Sequence, residues 1–262
     1  MPDTHYAKDV LPLMRTVCAP LATQRGHAGL SRQKGGRTND PVTELDIATE
    51  QHMMKLLADA FPSIAFVGEE TGGDRSVDTF WIMDPIDGTE QFIRGENGCT
   101  SMIAVVDKGT VQFSAIYDFV GDVMYWAERN LGSYRDDQRL FVNDRDIAEA
   151  YICYETRTDE PANRQLLESL ALRAKRLVPW RTAGWELIQV ARGDLDARVT
   201  FDPYGKDYDF APGSLLVEEA GGVVANIGLR SYDYRNTNFI AASPSVFRSL
   251  TDERSGLFPT HG

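Results

Sequence analysis

The chain has 262 residues, 42% of them hydrophobic and 25% charged, which is the composition of an ordinary globular protein with a well-buried core. Its formal net charge of −12 disfavours a broad interface with nucleic-acid phosphates, so we expect no nucleic-acid polymer among its partners. Because no apolar run approaches the ~18 residues of a membrane span and the first residues lack a signal-peptide pattern, we expect a cytoplasmic protein that contacts no membrane.

The first part of the sequence predicts two helices followed by a series of strands. Apolar residues recur at helical spacing over Val10–Leu21. The segment Gly26–Pro41 is rich in glycine and basic residues, and we predict a mobile loop there. Thr43 and Asp46 resemble a capping box, which predicts a second helix with an apolar face that ends near Phe61. Strands are then predicted at Ile64–Val67, Phe80–Met83, Ser101–Val106, Val111–Tyr117 and Val123–Ala127.

Helices and strands also mix in the second part of the chain. We predict helices at Asn163–Ala171, Trp185–Arg192 and Phe210–Ala220, the last of which ends at a pair of glycines. Strands are predicted at Ala197–Phe201, Val223–Val224 and Phe239–Ala241. Mixed elements in both parts indicate layered α/β packing, with a boundary near Asn143–Ala150.

The cysteines and histidines form no pattern typical of a catalytic or metal site. Cys18, Cys99 and Cys153 are far apart and odd in number, which predicts buried, reduced thiols rather than a disulfide framework. The four histidines lie outside the acidic motifs described next, so a phosphatase with a histidine nucleophile is not indicated.

Three acidic clusters stand at the edges of predicted elements. The first, Gly68-Glu-Glu70, follows a strand; the second, Asp84-Pro-Ile-Asp-Gly-Thr89, joins a strand to a helix; the third, Asp207-Tyr-Asp209, begins the last long helix. Carboxylates at such positions either cap helices and turns or bind a hard cation. For any one cluster taken alone, capping is the more common reason.

The central cluster favours the cation. Pro85 fixes one φ angle and removes a backbone donor, so a rigid turn can direct Asp84, Asp87 and the Ile86 carbonyl to one point. The helix that starts at Thr89 offers free N–H groups to a phosphate. Metal ligands beside an anion site suit two-metal phosphoryl transfer. An acidic protein would also need bound divalent metal to attract a phosphorylated substrate.

In this order, the three motifs resemble the signatures of the inositol monophosphatase family, and the resemblance runs from about Asp40 to Ala241. It implies an αβαβα layered sandwich of the inositol monophosphatase and fructose-1,6-bisphosphatase type. Residues 1–145 would form an N-terminal α+β half and residues 146–262 a C-terminal α/β half of one compact unit. It also implies magnesium-dependent, lithium-sensitive hydrolysis of a small phosphate monoester, by direct in-line attack of metal-activated water, and commonly a homodimer.

The resemblance assigns metal ligands by position. Glu69, Asp84 and the Ile86 carbonyl would hold a first Mg²⁺ ion. Asp84, Asp87 and Asp209 would hold a second, with Asp84 bridging the two. A third, weaker ion would lie near Glu69 and the loop that precedes the second helix.

The resemblance also assigns residues to the reacting groups. Asp46 and Thr89 would orient the attacking water and help to deprotonate it. The N–H groups of Gly88 and Thr89 would bind the phosphate, and Asp87 would also contact the substrate. Glu70 would support the metal ligands without binding an ion directly.

The segment that contacts the substrate departs from the family pattern. Thr182 and Ala183 match the inositol pattern, whereas Arg181 stands where glycine is usual and could reach a second anionic group. No glutamate is in register before the third motif, where Asp202 or Thr200 is the nearest candidate to contact the substrate. Buried polar groups discriminate strongly between substrates, so such a change can redirect substrate choice.

Several functions stay open on the sequence alone. An inositol-1-phosphate-like substrate leads, and histidinol phosphate, fructose-1,6-bisphosphate and 3′-phosphoadenosine 5′-phosphate are alternatives with the same chemistry. A catalytically silent homologue that binds or regulates is a different class of function, but all predicted ligands and the Asp46–Thr89 pair are present. A structural calcium site is a third interpretation, but it does not explain why a helix begins with Gly-Thr directly after Asp87.

Overall fold

The structure, a computed structural model, describes residues 5–27, 32–34 and 40–260. Its helices are α1 Ala7–Cys18, α2 Leu21–Gln24, α3 Glu44–Ala60, α4 Thr89–Ile93, α5 Pro161–Ala171, α6 Ala183–Ala191, α7 Asp207–Glu219 and α8 Pro244–Thr251, with a 3₁₀ turn at Ile147–Glu149. Its strands are β1 Arg32–Lys34, β2 Asp40–Val42, β3 Ala65–Gly68, β4 Thr79–Asp87, β5 Thr100–Asp107, β6 Thr110–Asp118, β7 Val123–Glu128, β8 Gly132–Arg135, β9 Gln138–Arg139, β10 Tyr151–Glu155, β11 Arg176–Pro179, β12 Ala197–Thr200, β13 Val223–Asn226 and β14 Phe239–Ala242.

The strands form two large sheets. Seven strands pair in chain order from β3 to β9, and every pair is antiparallel except β3 with β4. Five strands form the second sheet in the order β11-β10-β12-β14-β13, with β10 parallel to both of its neighbours. The parallel pair β3 and β4 matters most for the site, because the carboxyl ends of both strands meet at one sheet edge.

Apolar side chains cover both faces of the seven-stranded sheet. Along β4, Trp81 and Met83 pack with α1 and α3, whereas Ile82 between them packs with α6 and α7. Side chains alternate between the faces of a strand, so a sheet covered on both sides requires a continuous apolar run. This explains why Phe80–Met83 contains no polar residue.

Helices α6 and α7 lie between the two sheets, and α5 and α8 cover the far side of the five-stranded sheet. Leu187 of α6 and Leu216 of α7 share a core with residues of both sheets. Leu170 of α5 and Leu250 of α8 pack on the other face of the second sheet. The layers therefore run helix, sheet, helix, sheet, helix, and the predicted αβαβα sandwich is confirmed.

Most predicted elements are confirmed, with the following differences. The first helix ends at Cys18 and a second begins at Leu21, because Pro20 has no N–H group to continue the ladder. Part of Gly26–Pro41 pairs as β1 and β2 instead of forming a loop throughout, while 28–31 and 35–39 lie outside the described residues. The strands β8 to β11 and the helix α8 were not predicted.

The predicted state of the cysteines is confirmed, since all three are buried and free. Across the described residues, no helix combines the length and the apolar character needed to cross a bilayer.

Candidate active site

Asp84 and Asp87 lie at the carboxyl end of β4, where the register with β5 breaks. Asp84 pairs with Met102 and Asp87 with Thr100, so three steps along β4 match two along β5. Residues three apart in a regular strand point to opposite faces of a sheet. The bulge brings both carboxylates together, and Pro85 within it has no N–H group to lose from the ladder. The strand thus continues through the motif, which corrects our prediction of a turn there.

The cluster is completed from two other elements. Oxygens of Asp84, Asp87 and Asp209 lie within 4.8 Å of one another, with Asp209 in the first turn of α7. Asp209 also accepts a hydrogen bond from the N–H of Lys206 at the start of that helix, so it caps the helix and joins the cluster. Glu69 directly follows β3, and its N–H donates to the Met83 carbonyl of β4 at 3.0 Å. All three acidic motifs therefore meet at one place.

Asp87 is fixed by the N-terminus of α6. Its carboxylate accepts the N–H groups of Ala183 at 3.0 Å and Gly184 at 2.8 Å, and the hydroxyl of Thr100 at 3.0 Å. A Cβ atom on Gly184 would come within 2.6 Å of the Thr100 hydroxyl and 3.0 Å of the Asp87 carboxylate. Glycine at this position therefore allows the helix to approach the carboxylate closely.

Asp46 reaches the site through Thr89. The predicted capping box is present: Asp46 accepts the N–H of Thr43 at 2.8 Å and its hydroxyl at 2.6 Å, and the Thr43 hydroxyl accepts N–H groups of α3. The Thr89 hydroxyl lies 3.2 Å from the second oxygen of Asp46 and 3.0 Å from the Ile86 carbonyl oxygen. Burial raises the pKa of Asp46 to about 6, against the lowering effect of its hydrogen bonds from Thr43.

Sequence reasoning missed Glu50, which fixes the Gly-Glu-Glu motif. Its fully buried carboxylate accepts the N–H groups of Glu70 at 2.9 Å and Thr71 at 2.7 Å. A signal existed: Glu50 lies four residues after Asp46, hence on the same face of α3, and that face continues to apolar Met53. An acid on a buried helix face needs a partner, and here the partners are backbone donors.

Burial raises the pKa values of the clustered carboxyls. The pKa of Asp84 lies well above its usual value, first because the group is buried and then because neighbouring carboxylates, Glu69 foremost, add negative charge. The pKa of Asp209 also lies well above its usual value, for the same two reasons. Burial also raises the pKa of Asp87 to about 6, with the N–H of Gly184 acting in the opposite direction.

The donor set fits a hard divalent cation. Buried carboxylates this close together repel one another, and their desolvation costs free energy unless positive charge neutralises them. Oxygen-only ligands are those that Mg²⁺ and Ca²⁺ prefer. Asp84, Asp87 and Asp209 are thus suited to hold a metal ion between them.

A cavity of about 510 Å³ opens beside the cluster. The predicted site residues that line it are Glu69, Asp84, Ile86, Asp87, Gly88, Thr89, Arg181, Thr182, Ala183 and Asp209. Asp46, Glu70 and Asp202 do not line it. Asp46 lies behind Thr89, and the N–H of Glu70 is held by Glu50.

Two residues predicted to bind substrate have partners of their own. The Asp202 carboxylate accepts hydrogen bonds from Arg157 at 2.5 Å and Asn163 at 3.0 Å, and it lines a neighbouring surface pocket instead of the cavity. The structure therefore does not bring Asp202 to the acidic cluster. Arg181 does line the cavity, but its guanidinium is paired with Glu96.

A buried ion network behind the cavity had no signal in the sequence motifs. Arg198 of β12 is fully buried and pairs with Glu155 of β10 and with Glu186 of α6, the latter at 2.8 Å. Glu186 also accepts the N–H of Arg181 at 2.9 Å, and Glu155 accepts the N–H groups of Tyr204 at 3.0 Å and of the next residue at 2.9 Å. The network thus connects two chain segments that both line the cavity.

Comparison with known proteins identifies the family. The profile described as the inositol monophosphatase family matches residues 8–255, which is nearly the whole chain. The chain belongs to the inositol monophosphatase family. Inositol-1-monophosphatase of Bacillus subtilis is 29% identical over 239 residues, covering 88% of this chain and 89% of that protein. The solved structure of the Thermotoga maritima IMPase has a TM-score of 0.82 at 25% identity, covering 90% of this chain and 91% of the other.

Family membership makes the chain a phosphoric monoester hydrolase, of a metal-dependent family that acts on small phosphorylated substrates. The predicted family is thereby confirmed. Another relative, named Nus factor SuhB, from Pseudomonas aeruginosa, is 31% identical over 226 residues, covering 80% of this chain and 81% of that protein. Its name does not fit our expectation that no nucleic-acid polymer is a partner, an expectation that rested on net charge alone.

Proposed function

We propose that this protein is a magnesium-dependent phosphatase that releases inorganic phosphate from a small phosphate monoester. One observation carries the proposal: the buried carboxylates of Asp84 and Asp87 meet the half-buried carboxylate of Asp209 beside Thr89, in a cavity of about 510 Å³. The raised pKa values of these groups are the expected signature of a site that is completed by a cation.

The residues divide between holding metal and positioning the reactants. Glu69, Asp84, Asp87, Asp209 and the Ile86 carbonyl would hold the Mg²⁺ ions. Bound Mg²⁺ would supply Lewis-acid stabilisation of the phosphoryl oxygens and a lower pKa for the attacking water. All of these residues line the same cavity.

Other residues of the chain act on the water and the phosphate. Thr89 lies within hydrogen-bonding distance of Asp46, so the pair can accept a proton from a water molecule in the cavity and orient it. Gly88 has a φ of 86°, and a Cβ atom there would collide with the Thr182 side chain. Glycine therefore suits this position, and its N–H would bind a phosphate oxygen.

The family name places inositol-1-phosphate first among the substrates to test. Histidinol phosphate, fructose-1,6-bisphosphate and 3′-phosphoadenosine 5′-phosphate are the alternatives with the same chemistry. Lithium sensitivity, a homodimer, a third ion near Glu69 and a division into halves 1–145 and 146–262 stay predictions from the family resemblance.

The test is release of phosphate from these four compounds, measured with Mg²⁺ and with EDTA. We expect magnesium-dependent turnover of at least one compound. Asp84→Asn keeps the size of the side chain but removes a charged ligand, so it should lower turnover by more than about 100-fold, the upper range for residues that only support metal ligands.

Asp59→Asn makes the same chemical change at an exposed position near the end of α3 and should leave turnover unchanged. The two-metal assignment is wrong if Asp84→Asn retains the activity of Asp59→Asn.

A second candidate function is favoured by the relatives named Nus factor SuhB. Such a role could coexist with hydrolysis in one chain. Binding of a fluorescent RNA oligonucleotide at physiological salt would test whether nucleic acid is a partner. Saturable binding by both wild type and Asp84→Asn would favour this candidate. A Kd no tighter than about 10⁻⁴ M would be typical of non-specific contact and would contradict it.

A further inference from the structure

Two aromatic side chains face the cavity although neither belongs to a hydrophobic core. Trp180 and Tyr204 are each 37% exposed, and both line the cavity that contains the acidic cluster. Their ring centroids are 6.0 Å apart, with 33° between the ring planes, so they form one tilted pair. Large aromatic side chains bury more apolar area than most residues, and exposing them costs free energy unless a ligand covers them.

The pair is held in place by the backbone on both sides. The N–H of Trp180 donates to the Tyr154 carbonyl of β10 at 3.1 Å. Glu186 accepts the next N–H along the chain, and Glu155 accepts the N–H of Tyr204. The buried network through Arg198 therefore connects the two segments that carry the rings. Arg157 lies over the Tyr204 ring at 5.4 Å from its centroid and restricts it further.

A fixed aromatic surface is suited to a planar partner. Rings that are already ordered lose little conformational entropy on binding, which favours affinity. An aromatic heterocycle can stack on them, whereas a hydroxylated saturated ring needs hydrogen-bonding groups above all. A cavity of about 510 Å³ also has room for much more than a phosphate group.

We propose that Trp180 and Tyr204 bind a planar aromatic ring in the leaving group of the substrate. This proposal rests on the phosphatase activity proposed above and narrows its substrate class. The preferred substrates are monophosphates that carry a heterocycle, such as a nucleoside monophosphate or an imidazole-bearing phosphate. In the reaction, water attacks phosphorus, the P–O bond to the leaving group breaks, and the ring-bearing alcohol leaves with a proton.

The test compares kcat/KM for four substrates: adenosine 2′-monophosphate, histidinol phosphate, inositol-1-phosphate and glycerol 2-phosphate. The first two carry different heterocycles and so distinguish the two sources of the ring. Wild type should prefer at least one of them over both compounds without a ring. Trp180→Leu and Tyr204→Leu should each lower kcat/KM for the preferred substrate by about 5- to 100-fold, the range for loss of one stacking contact.

The same variants should change kcat/KM for glycerol 2-phosphate by less than about 2-fold, because that substrate has no ring to stack. Phe141→Leu is the matched control, since Phe141 is 65% exposed but lies outside the cavity lining. An equal loss for all four substrates would show that the rings serve only the structure and would overturn the proposal. Preference of wild type for inositol-1-phosphate would overturn it as well.

Binding is measured separately so that the two proposals can fail independently. Adenosine 2′-monophosphate and histidinol phosphate are titrated into the protein in EDTA while tryptophan fluorescence is recorded. We expect quenching by at least one of them that is lost in Trp180→Leu and unchanged in Phe141→Leu. Quenching without any turnover would contradict the proposed phosphatase function but support the aromatic site. Turnover of substrates without a ring, together with no quenching, would support the phosphatase function but contradict the aromatic site.

Discussion

A single hydroxyl group, that of Thr89, decides how the acidic site connects to Asp46. It lies 3.0 Å from the Ile86 carbonyl oxygen and 3.2 Å from an Asp46 carboxylate oxygen. A hydroxyl has one proton, so it can donate fully to only one of these acceptors. If a cation bound the Ile86 carbonyl, Thr89 would donate its proton to Asp46, and its hydroxyl oxygen could accept a hydrogen bond from a water molecule. Occupancy of the metal site would then prepare the group that orients water.

Replacing Thr89 tests this arrangement. Thr89→Val removes the hydroxyl while keeping a β-branched side chain, so kcat should fall by about 10²- to 10⁴-fold, the usual contribution of general acid–base catalysis. The free energy of unfolding should change by about 1 kcal/mol or less, because one hydrogen bond is lost. Steady-state kinetics and urea denaturation provide the two measurements.

Thr89→Ser is the matched control, because it keeps the hydroxyl and should retain kcat within about 10-fold of wild type. If valine and serine have equal effects, the hydroxyl has no part in the reaction and the Asp46–Thr89 pair is only structural.

At the scale of whole elements, the sequence predicted the parts that depend on local chemistry. The capping box of Thr43 and Asp46 and the acidic motif after β3 could be recognised because each lies within a few residues. The bulge in β4 could not be predicted, since it depends on how Asp84 and Asp87 pair with β5. The aromatic part of the cavity lining was not predicted for the same reason: Trp180 and Tyr204 are brought together by the second sheet.

The ion network of Arg198 joins three elements, β10, β12 and α6, and its loss should lower the free energy of unfolding. Arg198→Met leaves Glu155 and Glu186 buried without a cation, which should lower the free energy of unfolding by about 3–5 kcal/mol. Urea denaturation provides the measurement. Burial already raises the pKa of Glu186 to about 7, against the effect of Arg198, so its charge depends on that partner.

A triple variant separates charge from packing. Adding Glu155→Gln and Glu186→Gln to Arg198→Met removes both stranded charges, while each amide oxygen can still accept its backbone N–H groups. The triple variant should recover most of the lost stability. A single Arg198→Met variant as stable as wild type would contradict the importance of this network.

For the molecule as a whole, the clustered carboxylates lower the stability of the fold, and a bound cation should offset this loss. Asp84 and Asp87 come from the seven-stranded sheet and Asp209 from the helix layer, so a bound ion would connect two layers. Without metal, the raised pKa values mean that the folded protein holds protons more tightly than the unfolded chain. Through Asp87, the stability of the metal-free protein should therefore rise as the pH falls below about 6, the raised pKa of this group, toward its ordinary pKa of 3.8, and Asp84 and Asp209 should act in the same direction.

Magnesium should raise the melting temperature, because it would bind the folded protein and not the unfolded chain. A ligand that binds only the folded state at 100 times its Kd adds about 2.7 kcal/mol, which for a chain of this size corresponds to about 5–10 °C. Scanning calorimetry in EDTA and in Mg²⁺, at matched ionic strength to exclude general screening, provides the measurement. Asp84→Asn should be more stable than wild type in EDTA, because it removes a buried charge, and should lose most of the magnesium-dependent increase. An equal increase in wild type and variant would place the stabilising ion elsewhere and leave the acidic cluster without its cation.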